Sequence, residues 1–212
     1  KLNRFVRPMD GQSAERIAKS ASIPEAIDTV LDLIGHEFEL DKITIKNELP
    51  TDLPHIQIDQ RQLEEVLFNL IVNAAHAMSA TEEHGRSLPD SRQAGTKQPS
   101  GQGVLTISAS LSSPKSLIGD LDSRFRGNDK KTKDDKDSRI TLTIQDTGTG
   151  ISKEHLKHLF EPFHTTKGDQ GTGLGLYITK QIIERSGGKI TVKSEEGKGT
   201  RFVLEFKASK SV

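Results

Sequence analysis

The feature that most constrains this chain is an acidic residue at the end of an alternating segment. Ile140, Leu142 and Ile144 alternate with polar residues, which is typical of a strand that buries one face. Asp146 shares the parity of these residues, so we predict that its side chain points into the protein. Because burial of an unpaired charge is costly, this carboxylate needs a partner.

Two glycine-rich segments accompany the carboxylate. Gly148 and Gly150 follow it directly, and glycine there lets the backbone turn tightly and approach a ligand. Residues 171–175 carry alternate glycines and lead into a helical pattern over 174–184, a favourable place for phosphate because of its free amides. Neither segment is a dinucleotide fingerprint or a P-loop, and isolated glycine turns are more often structural. Taken together with the buried carboxylate, they suggest a nucleotide pocket.

The composition excludes several classes of protein. The 212 residues have zero net charge with both signs interspersed, which predicts no nucleic-acid or membrane contact. The absence of cysteine excludes disulfides, thiolate metal sites and cysteine nucleophiles. No apolar run approaches the roughly 18 residues that a membrane span needs, and no signal peptide is present. The absence of cysteine fits a cytoplasmic setting. Because the chain begins at Lys1 without methionine, we expect a fragment of a longer protein.

The remaining elements follow from caps and periodicity. Ser22 is the predicted N-cap of a first helix, with Pro24 in the first turn and Glu25 completing a capping box. The further predictions, in chain order, are a strand near 43–45, a helix over 60–80, a loop over 81–102, a strand over 104–109, a short helix over 152–160, and a hairpin over 189–206 before a frayed tail.

A polar stripe runs along the predicted 60–80 helix. Glu65, Asn69 and Asn73 recur every four residues and therefore lie on one face. Asparagine is a poor helix former, and amide and carboxylate oxygens suit Mg²⁺. The same stripe also fits a solvated helix edge, and the residues by themselves leave both interpretations open.

Two segments have no regular pattern. Residues 112–138 are polar and dense in charges of both signs, so we predict a disordered insertion that joins two antiparallel strands. Residues 161–167 lie between the glycine motifs, where a lid over a nucleotide would lie, and we expect Phe160 and Phe163 to hold this loop. Three nearby histidines (155, 158 and 164) lack a suitably spaced carboxylate or thiolate, which disfavours zinc.

Four motifs in this order resemble the boxes of sensor histidine kinases, most closely the nitrogen-regulation type. The resemblance covers about residues 23–207 without 81–138, and it implies a Bergerat-type ATP-binding fold. This is an α/β (α+β) two-layer sandwich whose mixed, mostly antiparallel sheet is covered on one face by helices. The motifs are Glu65-x₃-Asn69-x₃-Asn73 (N box), Asp146-Thr-Gly-Thr-Gly150 (G1), Phe160-Glu-Pro-Phe163 (F) and Gly171-Thr-Gly-Leu-Gly175 (G2), with a matching end over 187–202.

The resemblance also implies ATP and Mg²⁺ as cofactors and a role for each matched residue. Asn73 would ligate Mg²⁺, Asn69 would support the phosphates, and Glu65 would orient the Mg²⁺ water shell or act as a base. Asp146 would accept from the adenine amine, and Lys167 would approach the γ-phosphate or remain a solvated lid residue. The other implied nucleotide contacts are Gly148, Gly150, Ile151, Phe163, Thr166, Gly171, Thr172, Gly173, Leu174, Gly175, Leu176 and Thr200.

The phosphoaccepting histidine of such kinases is missing. It belongs in a preceding helical hairpin, whereas His36 lacks the motif and is interpreted as an ordinary helix residue. We expect 1–21 to be the end of that hairpin and a linker, 22–207 the catalytic domain and 208–212 a tail. The fragment should be monomeric, bind ATP and lack normal autophosphorylation. Its expected partners are the dimerisation domain of the same homodimeric protein, whose membrane anchoring stays open, and a response regulator receiver domain.

Alternative functions remain within the same ATPase superfamily. One is a nucleotide-gated clamp like those of gyrase or mismatch-repair proteins, although such clamps continue into a transducer domain. Another is a serine kinase of the anti-sigma type, which usually lacks this F box. A degenerate module that only holds nucleotide or a partner is disfavoured because Asn73, Asp146 and all five glycines are intact.

Overall fold

A computed structural model describes residues 20–40, 43–84, 103–112, 138–165 and 172–209, without the side chains of 36–40 and 80–84. Four helices and five strands lie in this part of the chain. The helices are α1 (Ile23–Leu40), α2 (Gln60–His84), α3 (Lys153–His158) and α4 (Gly175–Arg185). The strands are β1 (Thr44–Glu48), β2 (Val104–Ser112), β3 (Arg139–Asp146), β4 (Lys189–Glu195) and β5 (Gly199–Lys207).

The five strands form one mixed sheet in the order β1-β2-β3-β5-β4. Only the β1–β2 pair of this sheet is parallel, and the pairs β2–β3, β3–β5 and β4–β5 are antiparallel. Ile56 connects the two ends of the described domain, because it forms antiparallel bridges with Ala21 and with Ala208. The sheet therefore agrees with the predicted mixed, mostly antiparallel arrangement.

The core lies between one face of the sheet and the helices. Alternate residues of β3 and β5 are buried, which puts one face of each strand against the helix layer. Helix α2 packs against α1, α4 and β3, and α4 also packs against β4. The predicted apolar face of α2 is buried throughout; it consists of Leu63, Val66, Leu67, Leu70, Ile71, Ala74 and Met78. The two-layer sandwich is confirmed.

The start of α1 differs from the predicted capping box in one half. Ser22 Oγ accepts from the Glu25 amide at 3.4 Å, as an N-cap does. The Ser22 amide, however, donates to Oε1 of Gln60 at 2.9 Å rather than to Glu25. The first residue of α2 thus completes the cap of α1, and the second half of the capping-box prediction is wrong.

Three further predictions need correction. Helix α2 continues to His84, so residues 81–84 are not loop. Phe160 packs against the core as expected, whereas Phe163 is 75% exposed and does not hold its loop through side-chain burial. The tail is not frayed at its beginning, because the amides of Ala208 and Ser209 donate to Ser138 and His55 carbonyls.

The predicted insertion joins two antiparallel strands. Ser112 and Arg139 are register partners at the paired ends of β2 and β3, and Ser112 Oγ donates to the Arg139 carbonyl at 3.2 Å. Residues 113–137, on which the prediction of disorder falls, lie outside the described residues. None of the described helices combines the length and apolar character that crossing a membrane requires.

Candidate functional site

Asp146 ends β3 with its carboxylate buried, as its parity predicts. The residue is 3% exposed, and its Oδ1 accepts from the amides of Gly148 (2.9 Å) and Thr200 (3.1 Å). Burial raises the pKa of Asp146, while the amide hydrogen bonds from Gly148 and Thr200 lower it in part. Both of these hydrogen bonds are made to Oδ1, and neither involves Oδ2.

Gly148 and Gly150 approach other parts of the protein closely. A Cβ on Gly148 would lie 2.7 Å from the Ala77 carbonyl carbon in α2. Gly150 has a φ of 70°, and a Cβ there would collide with the Glu195 carbonyl. The Thr149 amide between them donates to the Ala77 carbonyl at 3.0 Å. These glycines fit the loop after Asp146 between α2 and the β4–β5 hairpin, which leaves their predicted ligand contacts untested.

The second glycine segment leads into α4 as predicted. Gly173 has a φ of 64°, and a Cβ there would lie 2.5 Å from the backbone of Phe163, whose amide donates to the Gly173 carbonyl at 3.0 Å. Leu174 is the N-cap of α4 and makes no side-chain hydrogen bond to the first turn. A Cβ on Gly175 would meet Asn69 at an ordinary 3.5 Å. The first turn of α4 therefore lies beside Asn69 of α2.

One face of α2 connects the two glycine loops. Asn69 Nδ2 donates weakly to the Gly175 carbonyl (3.5 Å) and to Thr179 Oγ1 (3.4 Å) in α4. Ala77, which contacts the loop after Asp146, lies eight residues further along the same face. At 1.5 Å of rise per residue this separation is about 12 Å, which is comparable to the length of an extended nucleotide diphosphate. Asn73 lies halfway between them and is half-buried.

The remaining predicted site residues fall into two groups. The first group lies within the described residues. Glu65 is exposed near the start of α2, and Leu176 packs against the core. Thr172 is exposed, and its hydroxyl accepts from the Leu174 amide at 3.4 Å. The second group, Thr166, Lys167 and Gly171, lies outside the described residues.

The sequence motifs missed Ser194, a hydroxyl beside the site. Its Oγ accepts from the Ile151 amide at 2.8 Å and lies 2.9 Å from the Gly199 carbonyl and from Thr200 Oγ1. Gly199 was also missed, although a Cβ there would collide with the Asp146 carbonyl. The pairing of β3 with β5 brings Gly199 to Asp146, and the pairing of β4 with β5 adds Ser194, so both contacts depend on residues far apart in the sequence.

The three histidines of the lid region come together around His164. Its ring centroid lies 5.6 Å from that of His155 and 5.7 Å from that of His158, and His158 Nδ1 lies 3.0 Å from Glu161 Oε2. Nε2 of His164 is buried without a hydrogen-bond partner. In the part of the chain that the structure describes, no group of three or more histidine and carboxylate side chains has the geometry of a metal site.

A buried carboxylate, a helix N-terminus without a side-chain cap and a polar helix face between them define an α/β nucleotide-binding domain. Residues 58–210 match the family model described as histidine kinase-, DNA gyrase B-, and HSP90-like ATPase. The chain belongs to this family. The resemblance to sensor histidine kinases that the four boxes suggest is confirmed by this match and by the relatives described next.

Among curated proteins, the chain is similar to the sensor protein SrrB of Staphylococcus aureus. The two are 53% identical over 80 residues, which are 35% of this chain and 14% of that protein. The chain thus matches a small part of the length of this relative. The relatives found support a sensor kinase domain rather than a clamp ATPase or a serine kinase.

Solved structures share the fold. The nucleotide-free catalytic domain of histidine kinase ThkA aligns with a TM-score of 0.61 at 23% identity, over 91% of this chain and 98% of that one. Full-length ShkA in complex with AMPPNP aligns with a TM-score of 0.59 at 22% identity, over 90% of this chain and 31% of that one. The mycobacterial sensor histidine kinase MprB gives a TM-score of 0.59 at 18% identity, over 92% of this chain and 100% of that one.

Proposed function

We propose that this chain is the ATP-binding catalytic domain of a sensor histidine kinase. It transfers the γ-phosphoryl group of ATP to a histidine in the dimerisation domain of the parent protein, for relay to an aspartate of a response regulator. The observation that carries this proposal is the α2 face, which contacts the loop after Asp146 through Ala77 and the first turn of α4 through Asn69. A nucleotide along this face would have its base at one contact and its phosphates at the other.

Each end of this face suits the group assigned to it. Oδ2 of Asp146 can accept from an exocyclic amine, and that bond would offset part of the cost of burying the carboxylate. The amides of the first turn of α4 can receive phosphate oxygens, since the Leu174 side chain leaves them uncapped. Gly173 and Gly175 add no side chains to this turn. The neighbouring residues that complete it are Thr172, Leu174 and Leu176.

The polar stripe of α2 serves the phosphate end. Asn73 supplies an amide oxygen for Mg²⁺, and the exposed Glu65 orients water of the metal or takes the proton of the incoming histidine. These side chains would act by positioning, and the Mg²⁺ that they hold would supply charge neutralisation at the phosphates. Phe163, Thr166, Lys167 and Gly171 complete the phosphate side in this proposal, and Gly148, Gly150, Ile151 and Thr200 the base side.

The proposal includes partners that the chain itself lacks. His36 lies within α1, ahead of the first strand, and is not assigned as the phosphoacceptor. The acceptor histidine therefore comes from a dimerisation and phosphotransfer domain, and a receiver domain takes the phosphoryl group afterwards. Alone, the chain binds nucleotide without phosphorylating itself.

Phosphoryl transfer in trans tests this proposal. The chain is incubated with Mg²⁺, γ-labelled ATP and a separately produced phosphotransfer domain of the parent protein. We expect label on that domain only, stable in base and lost in acid, as phosphohistidine is. Acid-stable label would indicate a serine kinase, and ATP-dependent dimerisation of the chain without any label would indicate a clamp ATPase.

A further inference from the structure

Ser194 occupies a junction between the loop after Asp146 and the β4–β5 hairpin. Its Oγ makes three contacts: the Ile151 amide donates to it at 2.8 Å, and it lies 2.9 Å from the Gly199 carbonyl and 2.9 Å from Thr200 Oγ1. The residue is half-buried, so these contacts are partly shielded from water. One hydroxyl therefore connects three backbone or side-chain groups next to Asp146.

The single proton of a hydroxyl restricts how these contacts form. Ser194 Oγ has one proton and two acceptor lone pairs, and the Ile151 amide uses one lone pair. A carbonyl oxygen cannot donate, so the contact with Gly199 uses the Ser194 proton. The contact with Thr200 then requires Thr200 Oγ1 to donate into the second lone pair. This is the one assignment that satisfies all three contacts.

The Thr200 hydroxyl consequently faces any further neighbour as an acceptor. Thr200 is 5% exposed, and its amide donates to Asp146 Oδ1 at 3.1 Å, so both residues belong to the same wall of the site. An ionised carboxylate is also an acceptor and cannot donate. This wall thus presents two acceptors and no side-chain donor, which favours a ligand that brings its own donor protons.

We propose that Ser194 determines the base specificity of this site by holding the proton of Thr200. The ligand class that this wall favours is a purine nucleotide with an amino group at C6. A 6-oxo purine would place a carbonyl oxygen against the acceptors, and a hydroxyl free to rotate could relieve that conflict by donating. The inference rests on the proposed nucleotide site and adds the residue that enforces its preference for adenine.

The test compares ADP with inosine diphosphate, which has a carbonyl in place of the C6 amine and a proton on N1. The N1 proton is the same in every variant, so a change in the ratio between variants reports on the C6 group. Ser194→Ala removes the acceptor of the Thr200 proton, so Thr200 can then donate to the carbonyl. We expect the ratio of the two dissociation constants, IDP over ADP, to fall by roughly tenfold, the factor that one typical hydrogen bond contributes. A merely structural role would weaken both nucleotides equally and leave the ratio unchanged.

Three further variants complete the calorimetric test. Ser194→Thr retains the hydroxyl and should keep the wild-type ratio. Ser186→Ala removes a hydroxyl that donates to the Ile183 carbonyl at 2.7 Å at the end of α4, and it should also keep that ratio. Thr200→Val removes the acceptor itself, so it should weaken ADP and reduce the ratio even if Ser194→Ala does not fold.

The outcomes separate this inference from the proposed function. If folded wild type binds neither nucleotide, both fail. If wild type binds ADP and every folded variant keeps the wild-type ratio, the inference fails while the nucleotide site stands. A lowered ratio in Ser194→Ala or Thr200→Val, with the ratio retained in Ser194→Thr and Ser186→Ala, is the result expected.

Discussion

Replacing Asp146 by asparagine measures two effects of this carboxylate separately. One is the stability that the folded protein loses by burying the charge, and the other is the affinity that the charge gives for nucleotide. Burial raises the pKa of Asp146, with partial opposition from the amides of Gly148 and Thr200. An acid whose pKa is higher in the folded state binds more protons there than in the unfolded chain. Its contribution to stability is therefore present at low pH and is lost as the pH rises through the folded-state pKa. Above the folded-state pKa, the ionised carboxylate destabilises the unliganded protein.

Asp146→Asn should therefore stabilise the protein without nucleotide. In wild type the amides of Gly148 and Thr200 donate to Asp146 Oδ1 at 2.9 and 3.1 Å. The Oδ1 of asparagine can still accept both hydrogen bonds, but the side chain carries no charge. We expect the variant to exceed wild type in free energy of unfolding at pH 7 by about 1.4 kcal/mol for each unit by which the folded-state pKa is raised. The difference should shrink toward about pH 3, where the aspartate is protonated in both states. Urea unfolding across this range measures it.

The same variant should lose nucleotide affinity. Because the two backbone amides need an acceptor, the asparagine nitrogen takes the position of Oδ2 and turns donor protons toward the adenine amine. Loss of a charge-assisted hydrogen bond costs about 3 kcal/mol, or roughly 150-fold in the dissociation constant of ADP. Calorimetric titration of ADP into both proteins measures this loss.

A matched control and a contradicting result are available for this experiment. Asp59 caps the start of α2, where its Oδ1 accepts from the amides of Arg61 (3.1 Å) and Gln62 (3.4 Å). Asparagine caps helices as well as aspartate, so Asp59→Asn should change stability by less than about 0.5 kcal/mol and leave ADP binding intact. An Asp146→Asn protein that binds ADP within about threefold of wild type, where a charge-assisted bond should be missing, would refute the assigned role of Oδ2.

Three other substitutions test separate parts of the site. Glu65→Gln should lower the rate of phosphoryl transfer to the phosphotransfer domain about 100-fold and leave ADP affinity unchanged. The control variant Glu64→Gln, changed at the neighbouring residue, should transfer at the wild-type rate. Equal rates for the two variants would show that Glu65 has no part in the mechanism. Gly175→Ala should raise the free energy of unfolding by up to about 1 kcal/mol, and so should the control Gly35→Ala in α1, where an added Cβ meets nothing within 4 Å. Only Gly175→Ala should weaken the binding of ADP. Unchanged ADP binding by that variant would exclude the first turn of α4 as the phosphate site. Phe163→Asn should raise the melting temperature. Phe163 has a left-handed φ of 63° and is 75% exposed, so asparagine relieves about 1 kcal/mol of backbone strain without removing a buried ring. A lower melting temperature would show that the ring packs in solution.

The parts of the fold that were predictable depend on local periodicity. The alternation before Asp146 determines which strand face is buried, and the helical spacing of 60–80 determines the apolar face of α2. The hairpin over 189–206 was predictable because its turn, with Gly197 and Gly199 at positive φ, lies between two alternating segments. These signals depend on residues only a few positions apart.

The parts that were not predictable depend on distant pairing. Gln60 completes the cap of Ser22 from 38 residues away, in place of the expected Glu25. Ser194 reaches Ile151 across 43 residues, through strand pairing that no local pattern records. Phe163 is apolar and was expected to be buried, but its close contact with Gly173 holds a left-handed backbone while the ring stays exposed.

The most direct measurement is a calorimetric titration of the wild-type chain with ADP, with Mg²⁺ and then with a chelator. A single site of micromolar affinity, strengthened by Mg²⁺ and lost in Asp146→Asn, is the result that the proposed nucleotide site predicts. No binding by a folded chain at millimolar ADP would contradict it.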